Sequence, residues 1–122
     1  MNKVLVVEDS SFQRKAIVKV LHDMGLDHDV AVNGLDGLEK INSDSVYSFI
    51  LTDLLMPELD GIGLIKKLNE QEYSKPIIVL TADIQKPVID ELKQLGVKKI
   101  IHKPFEEEDL KSILGEVLDG AA

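Results

Sequence analysis

Apolar residues gather in four short runs, each stopping at a polar residue able to handle phosphate or a hard cation. Val4-Leu5-Val6-Val7 precedes Glu8-Asp9, Phe49-Ile50-Leu51-Thr52 precedes Asp53, Ile77-Ile78-Val79-Leu80 precedes Thr81, and Ile100-Ile101-His102 precedes Lys103. Val- and Ile-rich runs of this length, separated by longer helical patterns, read as parallel strands buried on both faces. A first strand over 3–7 leads into Phe12, Ala16, Ile17, Val20, Leu21 and Met24 at helical spacing, with Ser10 or Ser11 as N-cap and Gly25 as the stop. A weaker second strand runs from His28 to Val32. A short second helix over Gly34 to Ile41 carries Leu35, Leu38 and Ile41 on one face.

Tyr47 to Thr52 form the third strand, and Met56-Pro57-Glu58-Leu59-Asp60-Gly61 a turn-rich loop. Ile62, Leu64, Ile65 and Leu68 mark the third helix. The alternation repeats twice more, with strands over 77–81 and 98–102 and helices near 86–95, stopped by Gly96, and 106–118. Five strand–helix units predict an α/β fold whose parallel sheet is covered by helices on both faces through right-handed crossovers. In such sheets ligands bind in the crevice beyond the carboxyl ends of the strands. Residues 8, 9, 53, 81 and 103 are thereby expected in one pocket.

Length and composition narrow the class. A chain of 122 residues is the size of one domain. Residues 1–119 are assigned to it, with 120–122 a tail or the start of a linker. The absence of cysteine excludes a disulfide scaffold and thiolate metal sites and fits a reducing compartment, so a cytoplasmic location is expected. Four apolar residues after Met1-Asn2-Lys3 are too few for a signal peptide or a membrane span. Twenty-two acidic against fourteen basic residues give a net charge of −8, which disfavours direct nucleic-acid binding.

Three converging carboxylates would repel one another unless a cation or proton intervenes. Mg²⁺ meets that need with oxygen ligands, typically one or two carboxylates plus a phosphate oxygen, and Asp9 and Asp53 are the expected direct ligands. A carboxylate facing the metal can accept a phosphoryl group as an acyl phosphate, and Asp53 is the candidate. Thr81 could donate its hydroxyl to a phosphoryl oxygen while Lys103 supplies a point charge. Taken singly, these residues also read as a helix-start acidic pair, a strand-end cap and a solvated lysine. Their joint arrangement favours chemistry.

The stretches Val4-Leu5-Val6-Val7-Glu8-Asp9-Ser10, Leu51 to Gly61, Leu80-Thr81-Ala82 and Lys103-Pro104-Phe105 resemble the receiver domains of two-component response regulators over essentially the whole chain, in the manner of single-domain chemotaxis regulators. The resemblance implies a flavodoxin-like, doubly wound, three-layer fold with strand order 2-1-3-4-5. It implies Asp53 as phosphoacceptor. Asp9, Asp53, the backbone carbonyl of Leu55 and, through water, Glu8 would hold Mg²⁺, for which Mn²⁺ can substitute. Thr81, the backbone of Ala82 and Lys103 would bind the phosphoryl group, Pro104 would follow a cis bond, and Pro57 and Gly61 would shape the loop after the acceptor.

Implied too are a sensor histidine kinase or histidine phosphotransfer protein as donor, selected around Phe12, Gln13, Lys15 and Ala16. A downstream protein would bind the face made by the fourth helix, fifth strand and fifth helix, with the chain a monomer or a phosphorylation-dependent dimer. Such a domain is a switch rather than a turnover enzyme.

Two positions depart from the family's usual pattern. Ile100 stands where many receivers carry an aromatic three residues before the lysine. Strand alternation puts Ile100 and His102 on one side, as an apolar output patch or packed beneath a helix. Leu55 and Asp83, two residues after Asp53 and Thr81, occupy positions that influence phosphoryl lifetime in this family, and slow self-dephosphorylation is expected. His22 and His28 have no metal-ligand spacing, and Glu106-Glu107-Glu108-Asp109 reads as an acidic first helical turn. A flavodoxin is disfavoured because Glu8-Asp9 would repel a cofactor phosphate. An aspartate-nucleophile phosphohydrolase is disfavoured because Leu55 replaces its second acid. A regulatory domain cut from a longer transcriptional or enzymatic regulator stays open.

Overall fold

The computed structural model describes residues 3–43, 46–56, 58–82 and 85–120. Among these, strands and helices alternate as β1 (Lys3–Val7), α1 (Ser11–Asp23), β2 (Asp27–Ala31), α2 (Gly34–Ile41), β3 (Phe49–Asp53), α3 (Gly61–Glu70), β4 (Ile77–Thr81), α4 (Lys86–Gln94), β5 (Lys99–His102) and α5 (Glu107–Leu118). Every neighbouring strand pair is parallel and the sheet order is β2-β1-β3-β4-β5, with β2 and β5 at the edges. The doubly wound fold expected from the alternation is therefore present, and α1 and α4 end beside Gly25 and Gly96 as expected.

Side-chain alternation divides the core in two. Val4, Val6, Phe49, Leu51, Ile78, Leu80 and Ile101 pack with Ile17 and Leu21 of α1 and Leu110 and Leu114 of α5. Leu5, Val7, Ile50, Ile77 and Val79 pack on the other face with Ile41, Leu64, Leu68 and Leu92 of α2, α3 and α4. Burying each such aliphatic side chain stabilises the fold by roughly 1.5–3 kcal/mol. The inner strands read as unbroken apolar runs because both faces are covered.

Several boundaries and faces differ from the sequence expectation. β3 begins at Phe49 rather than Tyr47. Tyr47 is buried ahead of the strand, and its hydroxyl donates to Asp29 Oδ2 at 2.7 Å, the oxygen that Lys3 Nζ approaches at 3.1 Å. That hydroxyl, then the lysine, holds the Asp29 carboxyl below its ordinary value. Phe12 is 82% exposed, in keeping with its place among the residues around which a kinase would select, although its spacing also matched the apolar face of α1. At 3.6 residues per turn it lies about 140° round α1 from the buried Ile17. Leu35 is likewise exposed, about 120° round α2 from Ile41.

The helix starts fix the rim of the sheet. Ser10, Asn33 and Asp60 cap α1, α2 and α3 by accepting from the backbone N–H of Gln13, Asp36 and Gly63. Gly61 opens α3 against the end of β3, its N–H donating to the Leu54 carbonyl at 2.8 Å. A Cβ at this position would lie 2.2 Å from the Asp53 carbonyl oxygen, so backbone would have to move. Gly115, inside α5, has open space at the same place. Gly61→Ala is expected to destabilise the chain by about 3 kcal/mol, and Gly115→Ala to stabilise it by up to about 1 kcal/mol. Urea denaturation of both variants against the parent chain checks the pair.

Candidate functional site at the carboxyl rim of the sheet

The site begins with the ends of β1 and β3. Hydrogen-bonded register pairs Val7 with Thr52, so the chain positions that follow, Glu8 and Asp53, leave the sheet side by side. Glu8 is 1% exposed, Asp53 half-buried and Asp9 exposed. One carboxylate oxygen from each of these three residues lies within 4.8 Å of the others. Such a set of hard oxygen donors at short range fits a divalent cation of the Mg²⁺ or Mn²⁺ kind.

Lys103 closes the cluster from the loop after β5. Its Nζ lies 3.0 Å from Glu8 Oε1 and 3.1 Å from Asp53 Oδ2, and it also donates to Gln13 Oε1. The side chain is 14% exposed, so the reading of Lys103 as a solvated surface lysine does not apply. The Lys103 backbone N–H donates to the Thr81 carbonyl at 2.9 Å, tying this loop to the end of β4. The bond between Lys103 and Pro104 is cis, as the resemblance implied.

The remaining polar atoms are held with equal care. Asp53 Oδ1 accepts from the Leu54 backbone N–H at 2.7 Å, which leaves Oδ2 for the lysine. Glu8 Oε2 accepts from the Ser10 N–H at 3.2 Å. Arg14 Nη1 donates to the backbone carbonyls of Glu8 at 2.9 Å and Asp9 at 3.2 Å, fixing the turn that carries both acids. Sequence reasoning overlooked Arg14. A cationic side chain in the second turn of the helix following an acidic pair was the available signal.

Burial pushes the Glu8 carboxyl above its ordinary value of 4.5; the Lys103 hydrogen bond opposes that rise and the Asp53 charge adds to it. With one ammonium among three carboxylates, ionisation of all three leaves negative charge uncompensated. A divalent cation held among them would offset that charge.

Thr81 is buried at the end of β4, one position beyond the Asp53–Leu80 register pair, and Ala82 after it is exposed. Leu55 is 77% exposed beside the rim. Pro57 and Asp83, assigned to the loop after the acceptor and to phosphoryl lifetime, lie outside the described residues. Ile100 and His102 line one groove with Ile89 and Lys93 of α4 and with Val97, but unequally. Ile100 packs partly against the core beneath α4, while His102 is exposed. The uniform apolar patch is not formed: its floor is apolar, and Lys93, Lys98, Lys99 and His102 make its rim basic.

The response regulator receiver domain profile matches residues 4–115. The chain belongs to the response regulator receiver domain family. Similar proteins include chemotaxis protein CheY-3 of Vibrio cholerae, 32% identical over 96% of this chain and 92% of the relative. The transcriptional regulatory protein DltR of Streptococcus agalactiae is 37% identical over 88% of this chain but 48% of the relative, so the receiver spans about half the length of that protein. Among solved structures, the receiver domain of a Pseudomonas aeruginosa sensor histidine kinase superposes with a TM-score of 0.87 at 27% identity, covering 97% of this chain and 98% of the other. That structure is described with a magnesium ion coordinated in the active site cleft. Receiver domains act in two-component signalling between histidine kinases and downstream targets. No helix among the described residues of this receiver is long and apolar enough to cross a membrane.

The raised Glu8 carboxyl has a defined pH signature. A carboxyl that holds its proton more tightly in the folded state contributes stability below the unfolded value, and that contribution is lost as pH rises through the folded value. Once pH has risen through the folded value, the charge on Glu8 is thus a burden on the folded receiver. Glu8→Gln keeps an acceptor for Lys103 and is expected to melt at higher temperature than the parent chain in EDTA at pH 7. The gain should vanish near pH 4. Calorimetric melts across that range check it, and an unchanged or lower melting temperature at pH 7 would contradict the assignment.

Proposed function

We propose that this receiver accepts a phosphoryl group on Asp53, with a divalent cation held by Asp9 and Asp53, the Leu55 carbonyl and, through water, Glu8. The observation that carries the reading is the convergence of Glu8, Asp9 and Asp53 with the Lys103 ammonium at the carboxyl rim. Mg²⁺ or Mn²⁺, when bound, supplies charge neutralisation for the phosphoryl oxygens. Asp53 is positioned for the attack because its Oδ1 is held by the Leu54 N–H and its Oδ2 by Lys103. Its carboxylate forms a bond to phosphorus as the bond to the donor's histidine nitrogen, or to an acetate oxygen, breaks and takes the electron pair with it. Later attack by water on phosphorus returns the carboxylate and releases inorganic phosphate. The chain thus promotes changes in its own modification without turning over a separate substrate.

The acyl phosphate adds charge and acceptor oxygens where Thr81, the Ala82 backbone and Lys103 converge. Recruitment of Thr81 and Lys103 toward them biases the loops after β4 and β5, and with them the α4-β5-α5 face that would receive a downstream protein. The donor is a sensor histidine kinase or phosphotransfer protein in the cytoplasm. A second reading, that this receiver regulates an attached output domain, is favoured by its coverage of half of the transcriptional regulator.

Incubation with acetyl phosphate and Mg²⁺ is expected to add one phosphoryl mass by intact-mass spectrometry, with none in Asp53→Asn or in EDTA. Addition that persists in Asp53→Asn would move the acceptor elsewhere. A bulky apolar Leu55 two residues after the acceptor would restrict water at the acyl phosphate, so the loss of label from the purified phosphoprotein should be slow. Leu55→Asn, able to orient a water but not to take its proton, is expected to shorten the half-life by about tenfold, less than the roughly hundredfold or more of a positioned general base. An unchanged half-life in a label-decay time course would remove Leu55 from that role.

A further inference from the structure

Gln13 occupies the third helical position of α1, and Ser10, its N-cap, accepts from the Gln13 backbone N–H at 3.3 Å. Ser-x-x-Gln at a helix start is the pattern of a capping box, in which the glutamine side chain reaches back to the N–H of the cap residue. Here that return bond is absent among the described contacts. The Ser10 N–H donates instead to Glu8 Oε2, and the Gln13 side chain turns away from the helix end to accept from Lys103 Nζ. A side chain with a ready local use has been diverted into the charged site.

The diversion completes the lysine. An ammonium has three N–H donors; Lys103 donates to Glu8 Oε1 and Gln13 Oε1 and forms an ion pair with Asp53 Oδ2 at 3.1 Å. Two acceptors would let the flexible four-carbon stem turn about the line joining them; a third acceptor out of that line fixes it. Because the Gln13 amide is neutral, it fixes the ammonium without adding to the negative charge set against the cation. It also makes α1 part of the site. Continuing the strand alternation, Glu8, Asp53 and Lys103 share the parity of Val6, Leu51 and Ile101, the residues packed toward α1 and α5.

We propose that Gln13 is a positioning residue for phosphoryl uptake, holding the Lys103 ammonium in line with the Asp53 carboxylate. When the phosphoryl group arrives, the N–H not taken up by Glu8 or Gln13 meets the new oxygen on Asp53 while those two acceptors retain the others. This inference rests on the phosphoacceptor reading, yet its direct readout does not.

The test compares the full chain with Gln13→Met and Gln13→Glu, the first removing the acceptor and the second retaining one. All three keep the backbone N–H that Ser10 caps, so circular dichroism melts serve as the control for α1. In ¹⁵N spectra of the lysine ammonium groups, the Lys103 signal, assigned by its loss in Lys103→Arg, is expected to be resolved in the parent chain. It should broaden or disappear in Gln13→Met and return in Gln13→Glu. Uptake from acetyl phosphate with Mg²⁺ should fall about five- to tenfold in Gln13→Met, the net scale of one ordinary hydrogen bond. A small donor excludes effects on kinase docking. An unchanged Lys103 signal in Gln13→Met overturns the proposal, whatever happens to uptake, and so does an altered signal with unchanged uptake. If the parent chain takes up no phosphoryl group, the phosphoacceptor reading fails, and the lysine signal still decides whether Gln13 fixes Lys103.

Discussion

The architecture of the rim depends on one constraint: carboxylates from β1 and β3 are brought together at the end of a buried sheet, where they repel, and one lysine from beyond β5 bridges two of them. The Lys103 ammonium touches Glu8 and Asp53 and is backed by Gln13, so four separate chain segments meet at a single nitrogen. Coulomb attraction in this partly desolvated place exceeds its value in water, but so does the repulsion among the acids. Folding alone does not cancel that repulsion. The packed strands below supply the stability that lets a cluster of acids sit at the rim with one ammonium between two of them.

The core is arranged to tolerate this. Both faces of the inner strands are sealed by aliphatic side chains, and three helices are capped by Ser10, Asn33 and Asp60 close to where the strands end. Beside the acidic cluster, the starts of α1, α2 and α3 are thus closed by their own capping side chains. Gly61 shows how tight the fit is, with α3 starting in contact with the carbonyl of Asp53 itself.

Much of this was legible in the sequence because period and position carry it. Unbroken runs at 4–7, 49–52 and 77–80 can be buried only as inner strands, and the topology of parallel crossovers then forces their carboxyl ends together. Glu8, Asp9, Asp53 and Lys103 followed from that alone. Less legible were facts requiring rotation or reach. Phe12 and Leu35 matched a helical pattern but lay on the wrong arc of their helices, and Tyr47 was apolar enough to extend a strand although its hydroxyl was needed by Asp29. Ile100 and His102 shared a side as alternation demands, yet their different burial depends on how far α4 overhangs the strand. The contacts of the long, flexible side chains of Gln13, named in the sequence only for kinase selection, and of Arg14 were not legible because their targets are defined only in three dimensions.

The edges of the sheet carry a different consequence. β2 presents Asp27, His28 and Asp29, and β5 presents Lys99 and His102, so charged or titratable groups stand along both outer strands while the apolar runs are kept inside. A strand from another chain arriving at either side would have to lay its residues beside these charges, a device that keeps sheets from growing edge to edge. A molecule with an acidic cluster at one end of its sheet is thereby protected at both sides from templating its own copies, and can be abundant without becoming the seed of a fibre.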